Sequence, residues 1–142
     1  MLPFQELIGF NENLKIMKIV VLDGYTLNPG DNPWTEVEAL GDLVVYDRTF
    51  SDQVIERAKD AEIVLTNKTP LSSGLLKELP NLKFIGVLAT GYNIVDVEAA
   101  KAQGIVVSNV PIYGTDSVAE FVMSLILNFW KQPQLHSDLV KK

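Results

Sequence analysis

Five short apolar runs alternate along the chain with stretches whose apolar residues recur at helical spacing. Within each run the apolar residues follow one another directly instead of alternating with polar ones. This pattern is typical of strands that are buried on both faces of a parallel sheet. The five runs, which we predict to be strands, are residues 18–22, 43–46, 63–66, 84–88 and 105–108.

Short helices fit between the predicted strands. Residues 33–40 carry a helical stripe, Ser51 is placed to cap the next helix, and a leucine stripe ends at Pro80. Asp96 can cap a further helix, which Gly104 can end. Because strands and helices alternate, we predict an α/β domain with a flavodoxin-like five-stranded parallel sheet, order 2-1-3-4-5, and helices on both faces.

The longest helical segment, residues 115–131, is apolar on two sides. One stripe runs along Val118, Phe121, Val122, Leu125, Ile126 and Phe129, and a second runs along Ala119, Met123, Leu127 and Trp130. A helix that is apolar nearly all round is expected to be buried all round, and exposing one large apolar side chain forfeits roughly 1.5–3 kcal/mol. We therefore predict a covering partner that is another domain, another subunit, or both. The alternative is a helix in the centre of a two-layer core.

Composition narrows the function. The 142-residue chain has a net charge of −6, which argues against nucleic acid as a partner because phosphate binding needs clustered Lys and Arg. It has no cysteine and one histidine, His136, so we expect no thiolate catalysis, no metal site and no His-centred acid–base site in it. No apolar run approaches the roughly 20 residues of a membrane span. Residues 1–16 do not resemble a signal peptide and are interpreted as an extension, so a cytoplasmic location follows by default.

Polar, glycine-containing loops follow the predicted strands, and ligands of parallel sheets bind beyond the carboxyl ends of the strands. The sharpest of these loops is residues 89–93. Gly91 permits a backbone turn that other residues resist, and such a turn can aim successive N–H groups at an anion. The alternative is a plain strand-to-helix turn in which Gly91 serves only the geometry.

Other polar residues that follow the predicted strands have both a structural and a functional interpretation. Lys68 offers a positive charge to an anionic substrate or is simply solvated, and Asn67 contacts a ligand or forms a turn. Asp23 is interpreted as a loop-capping residue. At the start of the long helix, Thr115 fits an N-cap, and Ser117 with Glu120 fits a capping box.

Four segments in combination resemble the D-isomer-specific 2-hydroxyacid dehydrogenases, and within them the glycerate dehydrogenase or hydroxypyruvate reductase branch. The segments are residues 22–31, 66–70, 89–93 and 109–120. The resemblance implies that the Thr90–Gly91 backbone holds the substrate carboxylate, while Ala89 and Tyr92 shape the pocket and Lys68 supports it. It also implies that Gly114 and Thr115 face the nicotinamide.

The same resemblance implies a two-domain oxidoreductase that transfers a hydride between NAD or NADP and a small D-2-hydroxy or 2-oxo acid. Residues 17–112 would be the substrate domain, 113–131 the connecting helix and 132–142 a lead-in to a Rossmann domain that is missing here. The family's catalytic Arg, Glu and His and its glycine-rich loop lie further along, and no G-x-G-x-x-G occurs in this sequence. We therefore expect no catalytic residue here, no tight cofactor binding by this chain alone, and a homodimer for the intact enzyme.

A second interpretation is a stand-alone module that has no cofactor domain. Such a module would bind a small acid or have a regulatory role. The long helix discriminates between the two, because a stand-alone module must cover it with a stable homodimer or another partner.

Overall fold

The computed structural model describes residues 17–141 and contains one parallel five-stranded sheet. The strand order is β2-β1-β3-β4-β5, which confirms the predicted flavodoxin-like order. The strands are β1 (Lys18–Val21), β2 (Asp42–Val45), β3 (Ile63–Thr66), β4 (Phe84–Val87) and β5 (Val106–Asn109). The helices are α1 (Thr35–Glu38), α2 (Val54–Ala58), α3 (Ser73–Lys77), α4 (Val97–Ala102), α5 (Thr115–Lys131) and α6 (Pro133–Val140).

The main core lies on one face of the sheet. Val20, Val64 and Ile85 stand in register on adjacent strands and are fully buried. Side chains from α2, α3 and α4, such as Val54, belong to the same buried cluster. Each aliphatic side chain buried in this way contributes roughly 1.5–3 kcal/mol, so this layer fixes the strands whose carboxyl ends carry the polar loops.

The two outer strands are not buried on both faces, which corrects the expectation from their apolar sequence. Val45 on β2 is 37% exposed and Val106 on β5 is 60% exposed. Each of these strands has one neighbour in the sheet, whereas Val20 and Val21 on β1, which has a neighbour on both sides, are fully buried. An uninterrupted apolar run therefore indicates a strand here without indicating its place in the sheet.

Two of the predicted helix boundaries are confirmed. The Asp96 carboxylate accepts the N–H of Ala99 at 3.0 Å, which caps α4. Gly104 follows α4 with φ +74°, and the next N–H, that of Ile105, returns to the Ala100 carbonyl at 2.9 Å. This is the left-handed C-terminal stop that glycine adopts without a steric penalty.

Three predicted caps are wrong. Ser51 lies inside a 3₁₀ turn, Ser51–Gln53, and the Phe50 N–H is satisfied by the Gln53 side chain at 3.1 Å instead. Thr115 is the first residue of α5 rather than its cap, and neither it nor the Ser117–Glu120 pair forms a capping bond, since the cap is Gly114 with no side-chain bond. In both places the helical turn begins one residue earlier than the prediction requires, so Ser51 and Thr115 are already helical.

Residues 110–141 belong to a second compact unit, in which α5 and α6 meet at Gln132, whose φ is +47°. No residue of α5 is buried; Phe129 is 81% exposed and Trp130 is 77% exposed. The alternative of a helix enclosed within a two-layer core is therefore wrong. The sequence did not indicate that α6 would be helical.

Among residues 17–141 there is no helix long and apolar enough to cross a bilayer. The predicted extension, residues 1–16, lies outside the described residues.

Candidate functional site

The Asp23 carboxylate organises the loops that follow β1 and β3. It is 2% exposed and accepts the N–H groups of Asn67 at 2.8 Å, Thr69 at 2.8 Å and Lys68. A buried carboxylate is stable when several donors satisfy its oxygens, and charged hydrogen bonds of this kind contribute about 1.5–3 kcal/mol each. Asp23 therefore acts as the loop-capping residue that the sequence indicated, and it holds residues 67–69 in one conformation.

Asn67 is a structural member of the same loop pair. Its side chain is buried and donates from Nδ2 to Thr26 Oγ1 at 3.0 Å. Thr26 Oγ1 in turn donates to the Asp23 carbonyl at 2.8 Å. Of the two interpretations of Asn67, these contacts favour the turn-forming residue.

Lys68 presents a free cation next to this structure. Its residue is exposed, and no described carboxylate lies within 4 Å of its ammonium. It borders a cavity of about 320 Å³ at the carboxyl ends of β1, β2 and β3. The lining residues are Asp23, Thr26, Arg48, Thr49, Phe50, Ser51, Lys68, Thr69 and Pro70.

Two arginines at this cavity were missed from the sequence. Arg48 lines it directly, while Arg57 on α2 stacks over the Tyr46 ring at 4.2 Å. The Arg57 guanidinium donates to the Arg48 carbonyl at 2.7 Å and to Thr49 Oγ1 at 2.8 Å. The only signal in the sequence was a basic residue in the loop after β2 and another on the following helix, a spacing with no specific meaning by itself.

The 89–93 loop follows β4 and differs from the expectation in one respect. Gly91 does not adopt a left-handed backbone, because the glycines with positive φ are Gly30 and Gly104. A Cβ at Gly91 would meet only Asn93 Oδ1, at 3.4 Å, which is an ordinary contact. Neither backbone conformation nor packing within the described residues therefore requires glycine at this position.

The loop nevertheless offers main-chain donors. Within residues 17–141 the N–H groups of Gly91 and Tyr92 donate no hydrogen bond, and both residues are exposed. The Asn109 side chain, at the end of β5, donates to the Thr90 carbonyl at 2.8 Å and fixes the start of the turn. The amides are thus held in a defined loop but are available to an external acceptor.

The walls of this loop are partly apolar. Ala89 is half-buried, and Tyr92 is 54% exposed. Tyr92 borders a second cavity, of about 240 Å³, together with Val97, Val107 and Asn109. A small acid bound at the amides would therefore have an aromatic wall on one side.

The remaining candidate residues, Gly114 and Thr115, belong to the second unit. A Cβ at Gly114 would meet nothing within 4 Å, so the space around this position is open. The structure thus brings Asp23, Asn67 and Lys68 together, while Ala89–Tyr92 form one continuous loop. Within residues 17–141 no cluster of His, Asp and Glu side chains is arranged to hold a metal ion.

Comparison with known proteins provides evidence on the family of this chain that is independent of the geometry described above. Residues 19–127 match the family model described as "D-isomer specific 2-hydroxyacid dehydrogenase, catalytic domain". A hydroxypyruvate reductase of Blautia hydrogenotrophica is 53% identical over 127 residues, which is 87% of this chain and 39% of the relative. A glycerate dehydrogenase of Methylorubrum extorquens is 40% identical over 110 residues, which is 77% of this chain and 34% of the relative.

Among solved structures, the Aquifex aeolicus D-lactate dehydrogenase complexed with NAD and lactic acid superposes with a TM-score of 0.66 at 27% identity. The match covers 87% of this chain and 37% of that one. The chain therefore spans 39%, 34% and 37% of the lengths of these three proteins.

Proposed function

Since the chain belongs to the D-isomer-specific 2-hydroxyacid dehydrogenase family, we propose that it supplies the substrate-binding part of an oxidoreductase. That enzyme transfers a hydride between a nicotinamide cofactor and a small D-2-hydroxy or 2-oxo acid. The relatives named hydroxypyruvate reductase and glycerate dehydrogenase favour an acid of the glycerate and hydroxypyruvate type.

The observation that carries the proposal is the pair of free amides at Gly91 and Tyr92. Within residues 17–141 no protein group accepts these two N–H groups, so both are open to a ligand with acceptor oxygens. A carboxylate has the charge and the acceptor oxygens that such donors need, and each charged hydrogen bond contributes about 1.5–3 kcal/mol. The resemblance assigned the carboxylate to the Thr90–Gly91 backbone; this proposal takes Gly91 and Tyr92 as the donors, because their N–H groups have no partner within residues 17–141.

Ala89 and Tyr92 neighbour these amides in the proposed pocket, while Lys68 lines a separate cavity. Ala89 and Tyr92 shape the pocket, and Tyr92 supplies an aromatic wall. Lys68, held in place by the hydrogen bonds of its loop to Asp23, adds a positive charge at the same carboxyl edge of the sheet. A positive charge there raises the local concentration of an anionic substrate around a chain whose net charge is −6.

The cofactor is proposed to contact this chain on a small surface only. Gly114 and Thr115 would face the nicotinamide, and the open space at Gly114 fits the close approach of a flat ring. The nicotinamide accepts or supplies the hydride. The sequence has no G-x-G-x-x-G to hold the phosphates and only one histidine, His136, so we expect no tight NAD or NADP binding and no turnover from these residues alone.

The domain organisation follows from the same proposal. Residues 17–112 form the substrate domain, 113–131 the connecting helix, and 132–142 lead towards a Rossmann domain of the intact enzyme. The intact enzyme is proposed to be a homodimer.

The test is a matched pair of variants at one position. Gly91→Pro removes the amide donor, whereas Gly91→Ala keeps it and adds a methyl group that meets only Asn93 Oδ1 at 3.4 Å. Titration calorimetry with D-glycerate should show about tenfold weaker binding for Gly91→Pro and little change for Gly91→Ala. Equal affinities for all three proteins, with the fold intact by circular dichroism, would overturn the carboxylate site.

A separate assay tests the expected inactivity. The chain is mixed with NADH and hydroxypyruvate, and absorbance of the reduced cofactor is followed. No consumption is expected. Turnover, or tight NADH binding, would show that these residues do not need the rest of a dehydrogenase.

A further inference from the structure

The turn that carries the Gly91 and Tyr92 amides is held at its downstream end by main-chain hydrogen bonds. The Val95 N–H donates to the Tyr92 carbonyl at 3.0 Å. Leu71, which is fully buried, donates its N–H to the Ile94 carbonyl at 2.8 Å and accepts the Asp96 N–H at 3.0 Å. This end of the turn is therefore fixed by backbone groups.

A side chain holds the upstream end. The Leu88 N–H donates to the Thr66 carbonyl at 2.8 Å, just after the last paired residues of β3 and β4. Two residues further on, the Thr90 carbonyl accepts a hydrogen bond from Asn109 Nδ2 at 2.8 Å, across 19 residues of sequence. Asn109 is half-buried at the end of β5 and also lines the cavity beside Tyr92, so its side chain lies directly against the turn.

The Thr90 carbonyl and the Gly91 N–H belong to the same peptide group. A peptide group is planar and trans, so its C=O and N–H point in opposite directions. The bond from Asn109 to the carbonyl therefore also sets the direction of the Gly91 N–H, which has no acceptor within residues 17–141. Hydrogen bonds in a chain polarise one another, so the same bond makes this N–H a stronger donor.

Glycine at position 91 leaves the opposite orientation of this peptide group open. Reversing the group carries the φ of Gly91 into the left-handed region, as in the change from a type I to a type II turn. Gly91 lies outside that region in the structure, but glycine enters it without a steric penalty. The reversed group would turn the Thr90 carbonyl, which is an acceptor, towards a carboxylate that needs donors.

We propose that Asn109 is a positioning residue for the carboxylate site, which locks the peptide group between Thr90 and Gly91 in the orientation that presents the Gly91 N–H. The proposal rests on the proposed function, which assigns the substrate carboxylate to the amides of Gly91 and Tyr92. Asn109 acts through the Thr90 carbonyl and not by contact with the acid. The lock belongs to the free chain, so it can be tested without a ligand.

Proton NMR of the free chain tests the lock. Asn109→Leu removes the donor and keeps a side chain of similar size, and Asn109→Ala removes the donor without adding bulk. In both variants the nuclear Overhauser effect between the Thr90 Hα and the Gly91 N–H should change in intensity, because reversal of the peptide group changes the distance between these two protons. An Overhauser effect equal to that of the wild type in both variants would overturn the proposal.

Asn81→Leu is the matched control. Asn81 is exposed before β4, at the opposite end of that strand, and its Nδ2 donates to the Lys59 carbonyl at 3.5 Å. This variant loses the same kind of bond, from an asparagine side chain to a carbonyl, away from the turn. It should leave the Overhauser effect and the affinity for D-glycerate unchanged; changes equal to those in Asn109→Leu would overturn the specific role of Asn109.

Calorimetric titration with D-glycerate tests what the lock does for binding. Asn109→Leu should weaken binding about tenfold, because part of the population presents the wrong group. Adding Gly91→Ala to this variant should recover about fivefold, since alanine resists the left-handed region that the reversed peptide group requires. A merely structural role of Asn109, or its direct contact with the acid, would give no recovery, and that result would contradict the proposal.

The two proposals fail in different ways. If D-glycerate leaves the Gly91 signal of the wild type unmoved while the Overhauser effect changes in the Asn109 variants, the carboxylate site fails and the lock on the peptide group stands. If D-glycerate moves the Gly91 signal while Asn109→Leu changes neither the Overhauser effect nor the affinity, the lock alone fails.

Discussion

Three main-chain N–H groups converge on the two oxygens of Asp23, so the position of a whole loop depends on one side chain. Asp23→Asn replaces one acceptor oxygen by an NH₂ group that faces donors. We expect the free energy of unfolding to fall by about 2–4 kcal/mol, since buried donors lose their acceptor. Urea denaturation measures this.

Asp60→Asn is the matched control for that prediction. Asp60 pairs with Lys18 at 3.8 Å across largely exposed side chains, and exposed pairs of this kind contribute about 0–1 kcal/mol. A similar loss in both variants would mean that the Asp23 contacts do not organise the loop.

Ile112 carries local backbone strain. Its φ is +51° and its side chain is 82% exposed, so a β-branched residue sits in the left-handed region with little packing to offset the cost. Ile112→Asn should raise the free energy of unfolding by about 0.5–1 kcal/mol, because Asn tolerates this conformation. Val110→Asn, at a β-branched residue without positive φ, should give no gain. A loss of stability in Ile112→Asn would contradict the assignment of strain.

At this scale the sequence identified the residues that follow strands and missed those that act through distant contacts. Gly91 and Lys68 were chosen as candidates because ligands of parallel sheets bind beyond the carboxyl ends of the strands, and their role stays a prediction. The contacts of Arg57 with the Arg48 carbonyl and the Tyr46 ring were missed, because the spacing of these residues along the chain has no specific meaning. The reason given for Gly91 was wrong, since its backbone is not left-handed.

Glycine is expected to have opposite effects on stability at two positions, one after α4 and one within α3. Gly104, at φ +74°, ends α4, so Gly104→Ala forces a Cβ into the left-handed region and should cost about 1 kcal/mol. Gly74 lies within α3, where a Cβ would meet only Ser72 Oγ at 3.9 Å, so Gly74→Ala should stabilise by about 0.5–1 kcal/mol. Thermal unfolding of the two variants should shift in opposite directions; shifts of the same sign would contradict this description of the ends.

Elements whose signal is local were predicted well from the sequence. Apolar runs gave all five strands, and Asp96 and Gly104 gave both ends of α4. A cap depends on the exact residue at which a helix begins, and Ser51 and Thr115 are not caps because the helical turns begin at these residues. The exposure of Val106 depends on its place at the edge of the sheet, which the run of residues 105–108 does not reveal.

At the scale of the molecule, α5 presents a large apolar surface. Phe121 is 64% exposed and Phe129 is 81% exposed. A contiguous exposed apolar surface favours association between protein molecules. We expect the chain to self-associate in sedimentation velocity experiments, and Phe121→Ser with Phe129→Ser to shift it towards the monomer. Val140→Ser, at an 88% exposed residue of α6, is the control and should have a smaller effect. A wild-type chain that stays monomeric at high concentration would contradict the prediction.

The central claim is that the amides at Gly91 and Tyr92 bind the carboxylate of a small 2-hydroxy or 2-oxo acid. Amide NMR of the chain during titration with hydroxypyruvate tests it most directly, since each N–H reports its own acceptor. The account predicts that the Gly91 and Tyr92 signals move downfield and saturate together, while those of α5 stay in place. Signals that do not move at Gly91, while hydroxypyruvate binds elsewhere on the chain, would contradict it.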